Sequence, residues 1–411
     1  MGQLSQVTRA PLRSGFVLLG PAFVAAIAYV DPGNVAANVS AGAQFGFLLV
    51  WVIVLANVMA GLVQFLSAKL GLVTGRSLPE AVADHTRRRT RIAYWLQAEL
   101  VAMATDLAEV VGGAIALYLL FDLPLLVGGI ITGAVSLVLL LVQDRRGQRV
   151  FERVITGLLL VIAIGFLTSL VVAPPSVDDV AAGLIPRFDG AESVLLATAM
   201  LGATVMPHAV YLHSGLARDR HGHPAAGAPR RRLLQVTKWD VALAMLVAGA
   251  VNLAMLLVAA TTLQGRDDTD SIEGAHAAVQ DTLGPTIALL FAIGLLASGL
   301  ASTSVGAYAG AMIMDGLLKI SVPILVRRLV TLIPALVILG IGFDPSRALV
   351  LSQVVLSFGI PFALIPLVRL TSDRRLMGDD VNHRVTTALG WAVAALISVL
   401  NVVLIYLTVT G

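Results

Sequence analysis

The chain of 411 residues contains no cysteine. That absence excludes disulfides and thiolate metal sites, and says nothing of the compartment. Charge is scarce as well. Asp, Glu, Lys and Arg make up only 13% of the residues, against about 25% in a soluble domain. Hydrophobic residues make up 57%, far more than a water-soluble globule of this length needs for its core. The chain therefore reads as an all-α polytopic membrane protein, with the lipid bilayer as its main partner. The net charge of +3 does not indicate nucleic-acid binding, because the arginines fall between apolar runs and report orientation. Residues 1–13 show no small-residue cleavage site behind a short apolar run, so no removable signal peptide is expected. No nucleophile–base–orienter set and no phosphate-binding loop appears, which argues against an enzyme, against ATP hydrolysis and against a bound cofactor.

Eleven apolar spans can be read, at about 14–41, 44–72, 93–120, 123–142, 152–173, 193–217, 235–262, 285–317, 321–342, 347–369 and 386–409. Each is near the ~20 residues that a helix needs to cross the hydrocarbon core. Loop charge alternates. Arg9 and Arg13 precede the first span; Arg76, Arg87, Arg88, Arg89 and Arg91 follow the second. Arg145, Arg146 and Arg149 follow the fourth, Arg218, Arg220, Arg230, Arg231 and Arg232 the sixth, and Arg374, Arg375 and Arg384 the tenth. The intervening loops hold Asp178, Asp179, Asp267, Asp268 and Asp270. The positive-inside rule then places the N-terminus in the cytoplasm and, with an odd number of spans, the C-terminus outside.

Two spans are interrupted by polar, helix-breaking residues. The first carries Asp31-Pro32-Gly33-Asn34 and the sixth Gly202-Ala203-Thr204-Val205-Met206-Pro207-His208. An acid at mid-membrane costs about 2.5–3.5 kcal/mol on insertion scales, so Asp31 needs a physical reason. Pro32 and Pro207 remove backbone donors and Gly33 tolerates open dihedrals. The expected result is two unwound helices with free carbonyls at the bilayer midplane, as in many secondary transporters. The two spans run in opposite directions and five spans separate their starts. The expected organisation is a cytoplasmic segment 1–13, a first five-helix repeat 14–173, an inverted repeat 193–370 and an eleventh helix 386–411.

The breaks offer a ligand set. Asp31 brings a carboxylate and Asn34 an amide oxygen, three residues apart and so on one helical face. Ala203, four residues before Pro207, brings a freed carbonyl, and Met206 a thioether. Hard oxygens alone would suit calcium or magnesium; a thioether shifts preference toward softer divalent transition metals such as manganese, iron(II) and cadmium. Alone, Met206 would read as core filler; its place in the break makes it a donor. His208 reads either as a satisfied core histidine or as a titrating group.

The third span carries Glu99, Asp106 and Glu109 on one stripe. Three acids there need a polar interior, so a proton-carrying path is expected; the bland reading is a structural ion-pair network. Arg327 and Arg328 at the ninth span, and Arg218 or Arg220 at the sixth, are the expected counter-charges. Gln64 and Gln353 are lone polar residues in apolar runs, suited to an interhelical hydrogen bond or to lining a path. Asn38-Val39-Ser40 matches a glycosylation sequon but abuts a span. The aspartates 267–270 lack the Gly and Glu of a calcium loop. His221 and His223 read as solvated loop residues.

At these residues the chain closely resembles the Nramp family of proton-coupled divalent metal transporters. The stretch Gly20-Pro21 through Tyr29-Val30-Asp31-Pro32-Gly33-Asn34 is similar to the family's first-helix signature, and Gly202 through His208 to its sixth-helix one. The resemblance covers essentially the whole chain. It implies a LeuT-like fold, two inverted five-helix repeats plus an eleventh helix, with helices 1 and 6 unwound at mid-membrane. By the same resemblance Asp31, Asn34, Ala203 and Met206 bind the metal, joined by Gln353 in an occluded state. Asp31, His208, Glu99, Asp106 and Glu109 carry protons, with Arg220, Arg327 and Arg328 downstream, and Tyr29 and Gln64 line the path. Ala22 departs from the glycine of many members.

The reading is a bacterial inner-membrane importer of manganese, iron(II) or cadmium-like ions, coupled to protons by alternating access and expected to act as a monomer. The runner-up is a sodium-coupled symporter of amino acids or other organic solutes on the same fold, which the Asp–Asn–Met set disfavours. A passive cation channel is a further alternative.

Overall fold

The computed structural model describes residues 20–410 apart from 147, 267–270 and 321, and not the side chains of 140–151, 324 and 325. The N-terminal segment 1–13, Arg9 and Arg13, the start of the first span, the aspartates 267, 268 and 270, and the side chains of Arg145, Arg146 and Arg149 lie outside the described residues.

Among the described residues every element is helical. Prolines open many of them, at the first turn where the missing N–H is no loss. The order runs α1 (Pro21–Ile27), a 3-10 turn (Ala28–Val30), α2 (Pro32–Phe45), α3 (Val50–Thr74), α4 (Leu78–Asp84), α5 (Arg88–Phe121), α6 (Leu125–Arg146) and α7 (Gln148–Val172). It continues with α8 (Val177–Ala182), α9 (Gly190–Thr204), α10 (Pro207–His221), α11 (Ala228–Thr262), α12 (Ile272–Leu283) and α13 (Pro285–Leu318). It closes with α14 (Ile324–Gly340), α15 (Pro345–Thr371), α16 (Arg374–Met377) and α17 (Arg384–Thr410).

Among the described residues, eight stretches are long and apolar enough to cross a membrane by length and composition, the α9–α10 pair counting as one. The broken α1–α2 pair, α6 and α14 supply the remaining three of the eleven spans read from sequence. Several boundaries differ: α5 opens at Arg88 rather than 93 and α11 at Ala228 rather than 235, each helix running on past its apolar stretch. The second span begins at Val50, not 44, because α2 runs on to Phe45 and ends at Gly46 with φ 58°. Hydropathy runs across this turn because the residues around Gly46 are themselves apolar. The spans also leave out α4, α8, α12 and α16, short helices that lie between them. For α4 a signal exists: the Ser77-x-x-Glu80 pattern, in which the Ser77 N–H donates to Glu80 Oε2 at 2.7 Å.

α13 lies along α5 and α7, α11 along α2 and α3, and α15 along α9 and α5; α17 packs outside α15 and α9. Small residues permit the closest approaches. A Cβ at Gly202 would strike the Gln353 backbone, and one at Gly71 the Ser214 carbonyl. The basic connections meet at one end of the bundle. Arg218 pairs with Glu80, Arg230 with Asp380 at 3.2 Å, and Lys69 Nζ donates to Asn382 at 2.9 Å. The other end is tied by Trp51 Nε1 donating to the Arg187 carbonyl at 3.3 Å and Ile272 N donating to Ser346 Oγ at 2.9 Å.

Candidate ion site at the paired helix breaks

Asp31 interrupts the first span with an extended backbone (φ −73°, ψ 169°) and caps α2. Its Oδ1 accepts from the Asn34 backbone N–H at 2.7 Å and from Asn34 Nδ2 at 2.9 Å. The carbonyls freed beside the break are not left bare: Val30 O accepts from Ser298 Oγ at 2.5 Å and Tyr29 O from Asn252 Nδ2 at 2.7 Å. The second break lies at Val205 and Met206, between α9 and α10. Pro207 has no N–H to give to the Ala203 carbonyl four residues earlier. That carbonyl instead accepts from Asn34 Nδ2 at 3.0 Å. One amide thus bolts the two breaks together.

Gln353 of α15 closes the cluster. Its amide lies over Gly33, where a Cβ would collide with it. Met206 sits in the second break, three residues after Ala203, and like Asp31, Asn34 and Gln353 is completely buried. Asp31 Oδ2, Asn34 Oδ1 and Gln353 Oε1 are buried and find no hydrogen-bond donor among the described residues. A buried acceptor left so costs about 1–3 kcal/mol. Three oxygens of this kind at one crossing, one of them from a carboxylate, are suited to a cation. No group of three His, Asp or Glu converges anywhere among the described residues. A cation here would therefore be held by a mixed set with a single carboxylate.

The acids of α5 find the expected partners on α14. Arg328 pairs with Asp106, and its other nitrogens donate to Ser136 at 3.0 Å and Thr303 at 3.2 Å. Arg327 pairs with Glu99 at 3.1 Å and donates to the Ala307 carbonyl at 3.2 Å. Gly310 is what admits it, since a Cβ there would occupy the guanidinium's place. Glu109 is fully buried against Gly306, beside Arg328 and Asp106. His208 reaches α5 through its Nδ1, 3.3 Å from Thr105 Oγ1. The structure does not bring Arg218 or Arg220 to these acids: Arg218 pairs with Glu80 and Asp219, and Arg220 with Glu152 at 3.4 Å.

Sequence reasoning missed several polar partners. Gln64 donates to the Tyr29 hydroxyl and its Oε1 lies 2.6 Å from His213 Nδ1. His213 is five residues after His208 on α10, and that repeat was the available signal. Asn38 donates to Asn252 at 2.9 Å and is only 2% exposed, so the sequon asparagine faces inward.

This geometry defines a polytopic helical membrane protein with two half-helices meeting at a buried, oxygen-rich crossing. The chain belongs to the Nramp family: the description Natural resistance-associated macrophage protein-like matches residues 22–407. A Mycobacterium tuberculosis protein named divalent metal cation transporter MntH is 72% identical over 411 residues, covering 100% of this chain and 96% of that protein. A Mycobacterium leprae protein of the same name is 70% identical over 408 residues, covering 99% and 96%. The solved Eremococcus coleocola manganese transporter superposes with a TM-score of 0.86 at 31% identity, covering 98% of this chain and 90% of that one. Mhp1, at 16% identity and a TM-score of 0.60 over 94% of this chain and 90% of that one, shares the fold alone. The fold is the LeuT-like one expected, two inverted five-helix repeats and an eleventh helix, with helices 1 and 6 unwound.

Proposed function

We propose that this protein is a secondary active importer of divalent transition metal ions, manganese and iron(II) with cadmium-like ions also carried, coupled to protons by alternating access. The observation that carries the reading is the crossing itself, where Asn34 links Asp31 to Ala203 and three buried oxygens find no donor among the described residues. Asp31, Asn34, Ala203 and Met206 hold the ion, and Gln353 joins them when the site is closed. The thioether favours manganese and iron over calcium and magnesium. The names carried by the mycobacterial relatives and by the Eremococcus transporter support the same cargo.

A carboxylate that binds metal gives up its proton, so Asp31 is where the two fluxes meet. His208, Asp106 and Glu109 take the proton onward, and Glu99, Arg327 and Arg328 form the column beneath. Arg220, paired with Glu152, is left out of this path. Tyr29 and Gln64, joined by a hydrogen bond, line the way out for the ion. The working unit is a monomer in the bacterial inner membrane, N-terminus in the cytoplasm and C-terminus outside, with repeats at 14–173 and 193–370. A symporter of carboxylate-bearing solutes fits poorly, because Asp31 would repel the solute.

The test is manganese flux into proteoliposomes with and without an inward proton gradient, with an internal pH dye. Metal uptake that the gradient accelerates, together with acidification, is expected. Metal-independent uptake of an organic solute, or metal flux indifferent to the gradient, would overturn the proposal.

A further inference from the structure

A cavity of about 380 Å³ opens where the start of α5 meets the end of α13. It lies well away from the ion site, at the end of the bundle that gathers the basic connections. Arg88, Arg91 and Trp95 line its polar side. Arg91 Nε and the Trp95 indole N–H are buried and donate to nothing among the described residues. Neither Arg88 nor Arg91 has a carboxylate partner among those residues, whereas Arg218, Arg230, Arg327 and Arg328 each have one. The acids and the lysine nearby, Glu80, Asp84, Asp315 and Lys319, line a separate pocket with Arg76.

The opposite wall is apolar: Ile92, Leu317, Leu318 and Ile320. Ile92 continues along α5 into Leu96 and Leu100, which are 56% and 59% exposed. In a spanning helix that exposed strip faces acyl chains. The cavity thus joins two cations and two donors that have no partner among the described residues to an exposed apolar strip. Tryptophan favours the membrane–water interface, and arginine attracts anionic headgroups.

We infer that this cavity is a binding site for an anionic phospholipid, its phosphate held by Arg88, Arg91 and the Trp95 indole and its acyl chain laid along Ile92, Leu96 and Leu100. Charge complementarity selects the headgroup, and continuity with the exposed strip selects a lipid over a free anion.

The test uses the full chain, purified in a neutral detergent, and native mass spectrometry of retained lipid. Phosphatidylglycerol, phosphatidylcholine and inorganic phosphate are the probes. Phosphatidylglycerol is expected to bind at one site and to resist millimolar inorganic phosphate. The R88Q/R91Q double variant should bind it about thirtyfold more weakly. Trp95→Phe keeps the ring and every charge but removes the indole donor, and should weaken binding several-fold. It guards against the arginine variant failing to insert. Equal retention of phosphatidylcholine, displacement by inorganic phosphate, or unchanged binding in both variants would overturn the inference.

Discussion

At the scale of single residues, Asp31 divides its carboxylate between two tasks. Oδ1 is committed to the first turn of α2, and Oδ2, with no donor among the described residues, is left for a ligand. Replacing Asp31 with Ala removes the one carboxylate that the described residues place at the crossing, and Asn34→Ala removes the amide that spans the two breaks. Both variants should lose manganese uptake in cells to the background of the empty vector. Met206→Ala keeps the oxygens and loses the soft donor. Its defect should appear mainly as lost discrimination, read as manganese uptake against competing calcium; unchanged selectivity would refute the thioether's role. Gly33→Ala places a methyl where the Gln353 amide lies and should abolish transport at normal expression. Most of these residues stand out in the chain itself, because an acid, an amide and prolines inside apolar runs are costly in a bilayer unless they bind something there. Gln353 was visible only as an isolated polar residue, and its position over Gly33 depends on how α15 packs.

At the scale of elements, α5 and α14 face each other through ion pairs in an apolar surround. Arg328 is 1% exposed. Removing it leaves Asp106 buried without its counter-charge, a loss of about 3–5 kcal/mol. Arg328→Ala should therefore show a markedly lower melting temperature in detergent, whereas Glu109→Gln, nearly isosteric, should retain stability. If the column carries protons, Glu109→Gln reduces acidification of proteoliposomes; normal acidification would leave the acids a purely structural role. At the basic end, burial raises the Glu80 carboxyl, but the Ser77 N–H and the Arg218 guanidinium outweigh it and hold it below the usual carboxylate range. A group depressed in the folded state stabilises above its unfolded value, near ~4.3, and ceases to as pH falls through its folded value. Glu80→Gln should melt earlier than the parent protein at pH 7, with the two curves converging in acid. The acid stripe of α5 was legible from spacing, and so were the α14 arginines as partners. That Arg220 turns to Glu152 was not, because it depends on where α7 begins relative to α10.

At the scale of the whole molecule, eleven apolar runs and alternating loop charge were enough to give the spans, since nothing else fits so much apolar surface. The helices between them were harder. α4, α8, α12 and α16 are short and mix apolar with polar residues, so hydropathy averages them into loop. The turn at Gly46 was hidden for the opposite reason, being apolar on both sides. The stacking of α13 on α5 and α7 and of α15 on α9 sets which half-helix meets which. No linear pattern carries that information.

By the proposed function, the bolt between the breaks would let the molecule sense an ion bound at the crossing. Asn34 donates with one side-chain nitrogen to both Asp31 and Ala203, so the seam between the two half-helices is latched by the group whose oxygen would face a cation bound there. A cation drawing on Asn34 Oδ1 polarises that same amide and tightens the latch. A loaded crossing is then a stiffer crossing. Amide hydrogen exchange around Asn34 and Val210 should slow when manganese is added to the purified protein and stay unchanged in Asp31→Ala.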